Sequence, residues 1–116
     1  MQRAVAALES ETNPILPDVV LPELAYLILR ELGYPTLTKF LRAVAAGEMA
    51  QVQSTSPDLA RAAELLEKYA DNKVDFVDCV IVAMAERLNL TRVLTVDRRH
   101  FTVFRPKHCE YFEIAP

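Results

Sequence analysis

The sequence predicts an α/β fold with a mainly parallel sheet. Two observations point there: short apolar runs of strand length alternate with amphipathic helical stretches, and a single helical segment near residues 75–90 is apolar on nearly every side. The low glycine count of two argues against a loop-rich chain or a β-sandwich. Right-handed crossovers between the strands follow from that class.

The elements come in order along the chain. "RAVAALES" (3–10) reads as the end of an amphipathic helix. "NPILPDVV" (13–20) follows a turn signal and has the character of a strand. Pro22 suits the first turn of a helix over "PELAYLILREL" (22–32), which Gly33 ends. Pro35 opens another helix, "PTLTKFLRAVAA", which stops at Gly47. "MAQVQS" (49–54) alternates and predicts a strand. In "SPDLARAAELLEKYA" (56–70), Leu59, Ala62, Ala63, Leu66, Tyr69 and Ala70 recur at helical spacing. "DFVDCVIVAMAERLNL" (75–90) predicts a helix buried in the middle of the fold. "RVLTV" (92–96) is a β-branched strand, and "EYFEIA" (110–115) alternates as a last strand.

The chain of 116 residues has the size of one domain, and no linker divides it, so 1–116 is read as a single domain. A chain of this length buries about two-thirds of its unfolded surface. With 52% apolar and 25% charged residues, its composition is that of a soluble globular protein. No apolar run approaches the ~18 residues of a membrane span, and the polar start "MQRAVAALESE" is unlike a secretory signal. Cys79 and Cys109 lack metal-binding spacing, and Cys79 reads as a buried small apolar residue. A reducing, cytoplasmic setting is expected.

Net charge is −3, which by itself speaks weakly against nucleic acid. Its distribution says more. Between Arg87 and Lys107 lie Arg87, Arg92, Arg98, Arg99, Arg105 and Lys107, with Asp97 the only acid. Such a segment can contact phosphates, or it can be a solvated face.

Three carboxylates could carry chemistry. Ligands of parallel α/β sheets gather at the carboxyl ends of strands. Asp97 falls at such an end, Asp78 in the first turn of the central helix, and Glu23 in the first turn of the helix after the 13–20 strand. Each also has a structural reading. Asp75 is a natural N-cap with Asp78 three residues on, Glu23 suits a helix dipole, and Asp97 can start a turn. The three could converge at one edge of the sheet; packed carboxylates repel, so such a cluster would need a cation, and oxygen-only donors suit Mg²⁺ or Mn²⁺. Thr95, two residues before Asp97, could orient a carboxylate or water. His100 has no evident serine or cysteine partner and is read as a surface or interface residue.

The run "DFVDCVIVAMAERLNLTRVLTVDRRHF" (75–101) resembles the C-terminal half of a PIN domain, especially the VapC-like toxins of bacterial toxin–antitoxin pairs. "VLPELAYLILRELG" (20–33) is similar to that family's glutamate-bearing helix. The resemblance implies a three-layer fold, with helices flanking the sheet, and an endoribonuclease that cleaves RNA with water activated by Mg²⁺ or Mn²⁺. By position Glu23, Asp78 and Asp97 match the family's acidic ligands, and Asp75 matches a less diagnostic acid beside them. RNA and an antitoxin protein are the implied partners. Arg98 and Arg99 are placed by charge, not by motif, to approach the RNA backbone.

The chain departs from the family at its start. PIN domains open with a hydrophobic strand ending in aspartate, and "MQRAVAALES" resembles the helix that follows it. The fold is therefore expected to be N-terminally truncated. Without that strand, two rows of backbone groups at 15–20 and 92–96 would face each other unpaired, and unmet groups cost about 1–3 kcal/mol each, so an empty slot is not expected. Closure of the flanking strands, a strand donated by a partner, or a longer gene product would resolve it. A rearranged or dimer-supported fold is the expected outcome. The helix 22–32 fits a homodimer, because Tyr26, Leu27 and Leu29 are apolar beyond its main stripe. The alternatives are a catalytically inert PIN-like module acting through dimerisation or antitoxin binding, and a structural domain whose acids are only caps.

Overall fold

In the computed structural model, which describes residues 6–9, 14–95, 104–109 and 113–115, a five-stranded sheet is flanked by helices. The strands are β1 (Ala6–Glu9), β2 (Pro14–Pro17), β3 (Ala50–Val52), β4 (Arg92–Thr95) and β5 (Glu113–Ala115). Their spatial order is β3-β2-β1-β4-β5. β2 pairs parallel with β3, and β4 pairs parallel with β5. β1 runs antiparallel to both β2 and β4. Four strands therefore share one direction and the central one opposes them.

One expectation is corrected here. Residues 6–9 form a strand, where "RAVAALES" predicts a helix. The gap between the flanking strands is filled from within the chain: Leu8 stands opposite Ile15 on one side and Val93 on the other. Sheet pairing on both sides satisfies the backbone groups that an open slot would strand, and this outweighs the weak local preference of an alanine-rich stretch for helix.

The remaining elements follow the expected sequence. β2 passes through a 3-10 turn (Asp18–Val20) into α1 (Leu21–Leu32). Ser54, just beyond β3, donates from its backbone and its hydroxyl to the Asp18 carboxylate, so the ends of these parallel neighbours are tied. Gly33 ends α1 at φ 87°, a conformation that costs glycine little, and its N–H closes onto the carbonyls of Ile28 and Leu29. α2 (Tyr34–Ala45) then folds back on α1.

α3 (Ser56–Lys68) starts in a reciprocal capping box, with Thr55 Oγ1 accepting from Asp58 N and Asp58 accepting from Thr55 N. α4 (Phe76–Leu88) is buried continuously from Asp78 to Ala85, as its all-round apolarity predicts. It ends at Asn89 in the left-handed region. The core joins α4 to Leu16, Val20, Val44, Ala62, Leu65, Tyr69 and Phe104. Each large apolar side chain buried there contributes on the order of 1.5–3 kcal/mol.

Every residue of α1 keeps some exposure, and the α1–α2 hairpin presents Tyr26, Leu32 and Tyr34 at 63–74% exposed. Among the described residues, no helix is long and apolar enough to cross a membrane.

Candidate functional site

The first turns of α1 and α4 carry the carboxylates that the sequence singles out. Asp75 is the N-cap of α4: its Oδ1 accepts from the Asp78 N–H at 2.9 Å. This cap turns the start of the helix so that Asp78 faces inward. The Asp78 side chain is 4% exposed and its Oδ2 is buried. Glu23, in the first turn of α1, likewise has a buried oxygen, Oε1. α4 packs against the 3-10 turn that leads into Glu23's helix.

Asp97, Arg98, Arg99 and His100 lie outside the described residues. Thr95 closes β4, with its backbone opposite Ala6 of β1. Among the described residues no three His, Cys, Asp or Glu side chains form a group that could hold a metal ion. Glu23 and Asp78 alone offer two hard oxygen donors shielded from solvent, and desolvated carboxylate oxygen is what a divalent cation of the Mg²⁺ or Mn²⁺ class takes. The donor type of each residue fits such an ion.

Local electrostatics are negative. Burial pushes the Cys79 thiol up to about 12, and the neighbouring charges of Asp78 and Asp75 push the same way. Cys79 is fully buried, which agrees with its reading as a small core residue.

A second polar cluster sits at the other end of α4 and was not legible from the sequence. Arg87 donates through Nε and Nη2 to Asp58, at 2.9–3.2 Å, and reaches the Gln53 carbonyl at 3.4 Å. Burial raises the Asp58 carboxyl, but hydrogen bonds from Arg87 and Thr55 outweigh it and hold the group below its ordinary value. Arg61 pairs with Glu86, which also accepts from the Lys107 N–H at 2.8 Å. Burial again opposes ionisation of Glu86, and Arg61 with the Lys107 backbone overcomes it. These partners lie 21–29 residues apart in sequence, so no local periodicity reveals them. Arg87, read as part of a basic phosphate-facing segment, is thus partly engaged by an acid.

Comparison with known proteins adds the following. The model of the PIN domain family matches residues 1–105. Ribonuclease VapC26 of Mycobacterium tuberculosis (strain ATCC 25618 / H37Rv) is 29% identical over 102 residues, a match that spans 88% of this chain and 76% of that protein. The crystal structure of Mycobacterium tuberculosis VapC20, described as a sarcin–ricin-loop-cleaving toxin, superposes with a TM-score of 0.60 at 18% identity. That match covers 67% of this chain and 60% of the other, and at such identity the likeness is one of fold.

Proposed function

The chain belongs to the PIN-domain family, and on that premise we propose that it is a metal-dependent endoribonuclease of the VapC toxin type, acting on RNA phosphodiesters. The observation that carries this reading is the pair of buried carboxylate oxygens, Glu23 Oε1 and Asp78 Oδ2, at the first turns of two helices. Similarity to a ribonuclease supports the reaction class.

Glu23, Asp78 and Asp97 would hold Mg²⁺ or Mn²⁺. When bound, such an ion supplies an activated water and offsets charge on the phosphodiester in transit. The chain's own contribution is placement. Asp75 fixes the first turn of α4 and thereby the direction of Asp78. Burial excludes water from one oxygen of each carboxylate, which strengthens their pull on a cation. Thr95 would orient the Asp97 carboxylate or a water, and Arg98 with Arg99 would approach the RNA backbone.

The proposed partners are RNA, an antitoxin protein of the VapB type and a second copy of this chain, in a cytoplasmic setting. The exposed apolar side chains Tyr26, Leu32 and Tyr34 support a homodimer through the α1–α2 hairpin. Sedimentation of Tyr26→Asp/Tyr34→Asp against the unaltered protein tests it, with loss of the dimer expected.

The activity is tested by RNA cleavage with purified protein in Mg²⁺ or Mn²⁺. Cleavage is expected to need the metal and to fall to background in Asp97→Asn. Metal-independent cleavage, or cleavage at the unaltered level in that variant, overturns the assignment.

A further inference from the structure

The C-terminal half of α4, the N-terminal half of α3 and residues 107–108 line an open pocket of about 420 Å³. Its polar lining is Asp58, Arg61, Glu86, Arg87, Lys107 and His108. Resting on the ribonuclease reading, we propose that this pocket is a phosphate-binding site for RNA, separate from the carboxylates that perform cleavage.

The charges are layered. Asp58 is 2% exposed and Glu86 10%, whereas the Arg87 side chain is 35% exposed and Lys107 is open to solvent. The acids lie beneath and are each met by an arginine. Arg61 is further engaged by the exposed Glu64 at 3.0 Å, so the cations that face an incoming ligand are Arg87 and Lys107. Arg87 uses Nε and Nη2 on Asp58, and among the described residues its Nη1 makes no hydrogen bond. The Lys107 ammonium stands on a backbone that Glu86 anchors. An acid beneath an exposed arginine fixes the guanidinium in place, so less conformational freedom is lost when an anion binds.

The platform is firm as well as charged. Segment 104–109 is held by the Tyr69 hydroxyl, which accepts from Arg105 N at 3.0 Å, and by edge-on packing of Phe104 against Tyr69. His108 Nε2 lies against the Leu90 carbonyl. A carbonyl only accepts, so Nε2 carries the proton and the ring is oriented.

The sequence pattern agrees. Arg87 and Lys107 are the two ends of the stretch in which Asp97 is the only acid, and the fold brings those ends to one pocket. Arg87 lies nine residues beyond Asp78 on α4, roughly 13 Å at 1.5 Å per residue. One RNA strand would therefore be held at one end of the helix while the carboxylates act at the other.

The test is binding of a fluorescein-labelled single-stranded RNA oligonucleotide, read by anisotropy in EDTA so that cleavage plays no part. Lys107→Glu is compared with Lys39→Glu, the same charge change at an exposed site on α2. Lys107→Glu is expected to weaken binding about tenfold and to lower the salt slope by about 0.7, the value for one phosphate contact on a single strand. Lys39→Glu should stay within about twofold, as a charge change remote from the contact. Equal weakening by both variants, no weakening by Lys107→Glu, or no RNA binding by the unaltered protein overturns the site. If Lys107→Glu lowers the melting temperature, Lys107→Gln decides, with a loss of about threefold expected for removal of one charge and no loss overturning the site. The two readings fail separately. RNA binding that depends on Lys107 without cleavage in Mn²⁺ removes the ribonuclease and keeps the site. Cleavage with Lys107-independent binding does the reverse.

Discussion

Arg61 meets the Glu86 carboxylate side-on, with Nε to Oε1 at 2.8 Å and Nη2 to Oε2 at 3.0 Å, and so bolts α3 to α4. The same carboxylate receives the Lys107 N–H, which brings the C-terminal segment into the joint. Three parts of the chain converge on one acid.

Glu86→Ala should therefore destabilise well beyond a surface ion pair. The Arg61 side chain is only 17% exposed and would lose its main partner, and a backbone N–H would lose its acceptor. Stranding such groups costs about 2–3 kcal/mol, against about 0–1 kcal/mol for an exposed pair. Urea denaturation measures it. A loss below about 0.5 kcal/mol would place the pair in the surface class and refute the joint.

The same contacts set an acid limit. Asp58 and Glu86 both titrate below their ordinary values in the folded protein, because bonds from arginine and from the backbone outweigh the effect of burial. A depressed folded value means that the stabilisation is complete above the unfolded pKa of about 4 and is lost as pH falls through the folded value. Stability should hold near neutrality and decline from about pH 5 toward pH 3. Glu86→Gln should decline less steeply there. Urea midpoints across that range decide it, and a midpoint that rises on acidification would contradict the sign.

Asp75 and Asp78 should separate cleanly. Asp75 caps α4, so Asp75→Ala should cost about 1 kcal/mol of stability. Asp78→Asn keeps the shape of the side chain and its own N–H to the cap, so stability should change by less than about 1 kcal/mol while RNA cleavage falls to background. Thermal melts and cleavage assays on both variants check this. Full activity in Asp78→Asn would leave that residue a buried structural acid.

Legibility differs by element, for physical reasons. The helices announce themselves through local chemistry: Pro22 and Gly33 bracket α1, and the unbroken apolar run after Asp75 marks α4 as central. The positions of Asp75 as a cap and of Asp78 and Glu23 in first turns were legible too, because caps and first turns are local features. The Arg61–Glu86 and Arg87–Asp58 pairs were not, since side chains distant in sequence meet only after α3 and α4 pack. Asp97, the residue on which the metal reading most depends, lies outside the described residues. β1 departs from the helix that "AALE" predicts in isolation, because strand preference is set by neighbours more than by the residue itself.

The central place of β1 can be tested sharply. If residues 6–9 were a surface helix, a proline there would cost about 3 kcal/mol or somewhat more, locally, and leave the rest of the fold intact. As the central strand, β1 pairs on both sides: Ala7 stands opposite Leu94, and its neighbour Leu8 opposite both Ile15 and Val93. A proline in such a strand removes a ladder donor where water cannot replace it, and it sets a ring against the adjacent strand. Ala7→Pro should then uncouple β2–β3 from β4–β5 and abolish cooperative unfolding. Ala7→Val, which suits a strand and slightly disfavours a helix, should be tolerated or mildly stabilising. Thermal melts of the two variants separate the cases. A cooperative, near-normal melt for Ala7→Pro would remove β1 from the centre of the sheet and reopen the slot between β2 and β4.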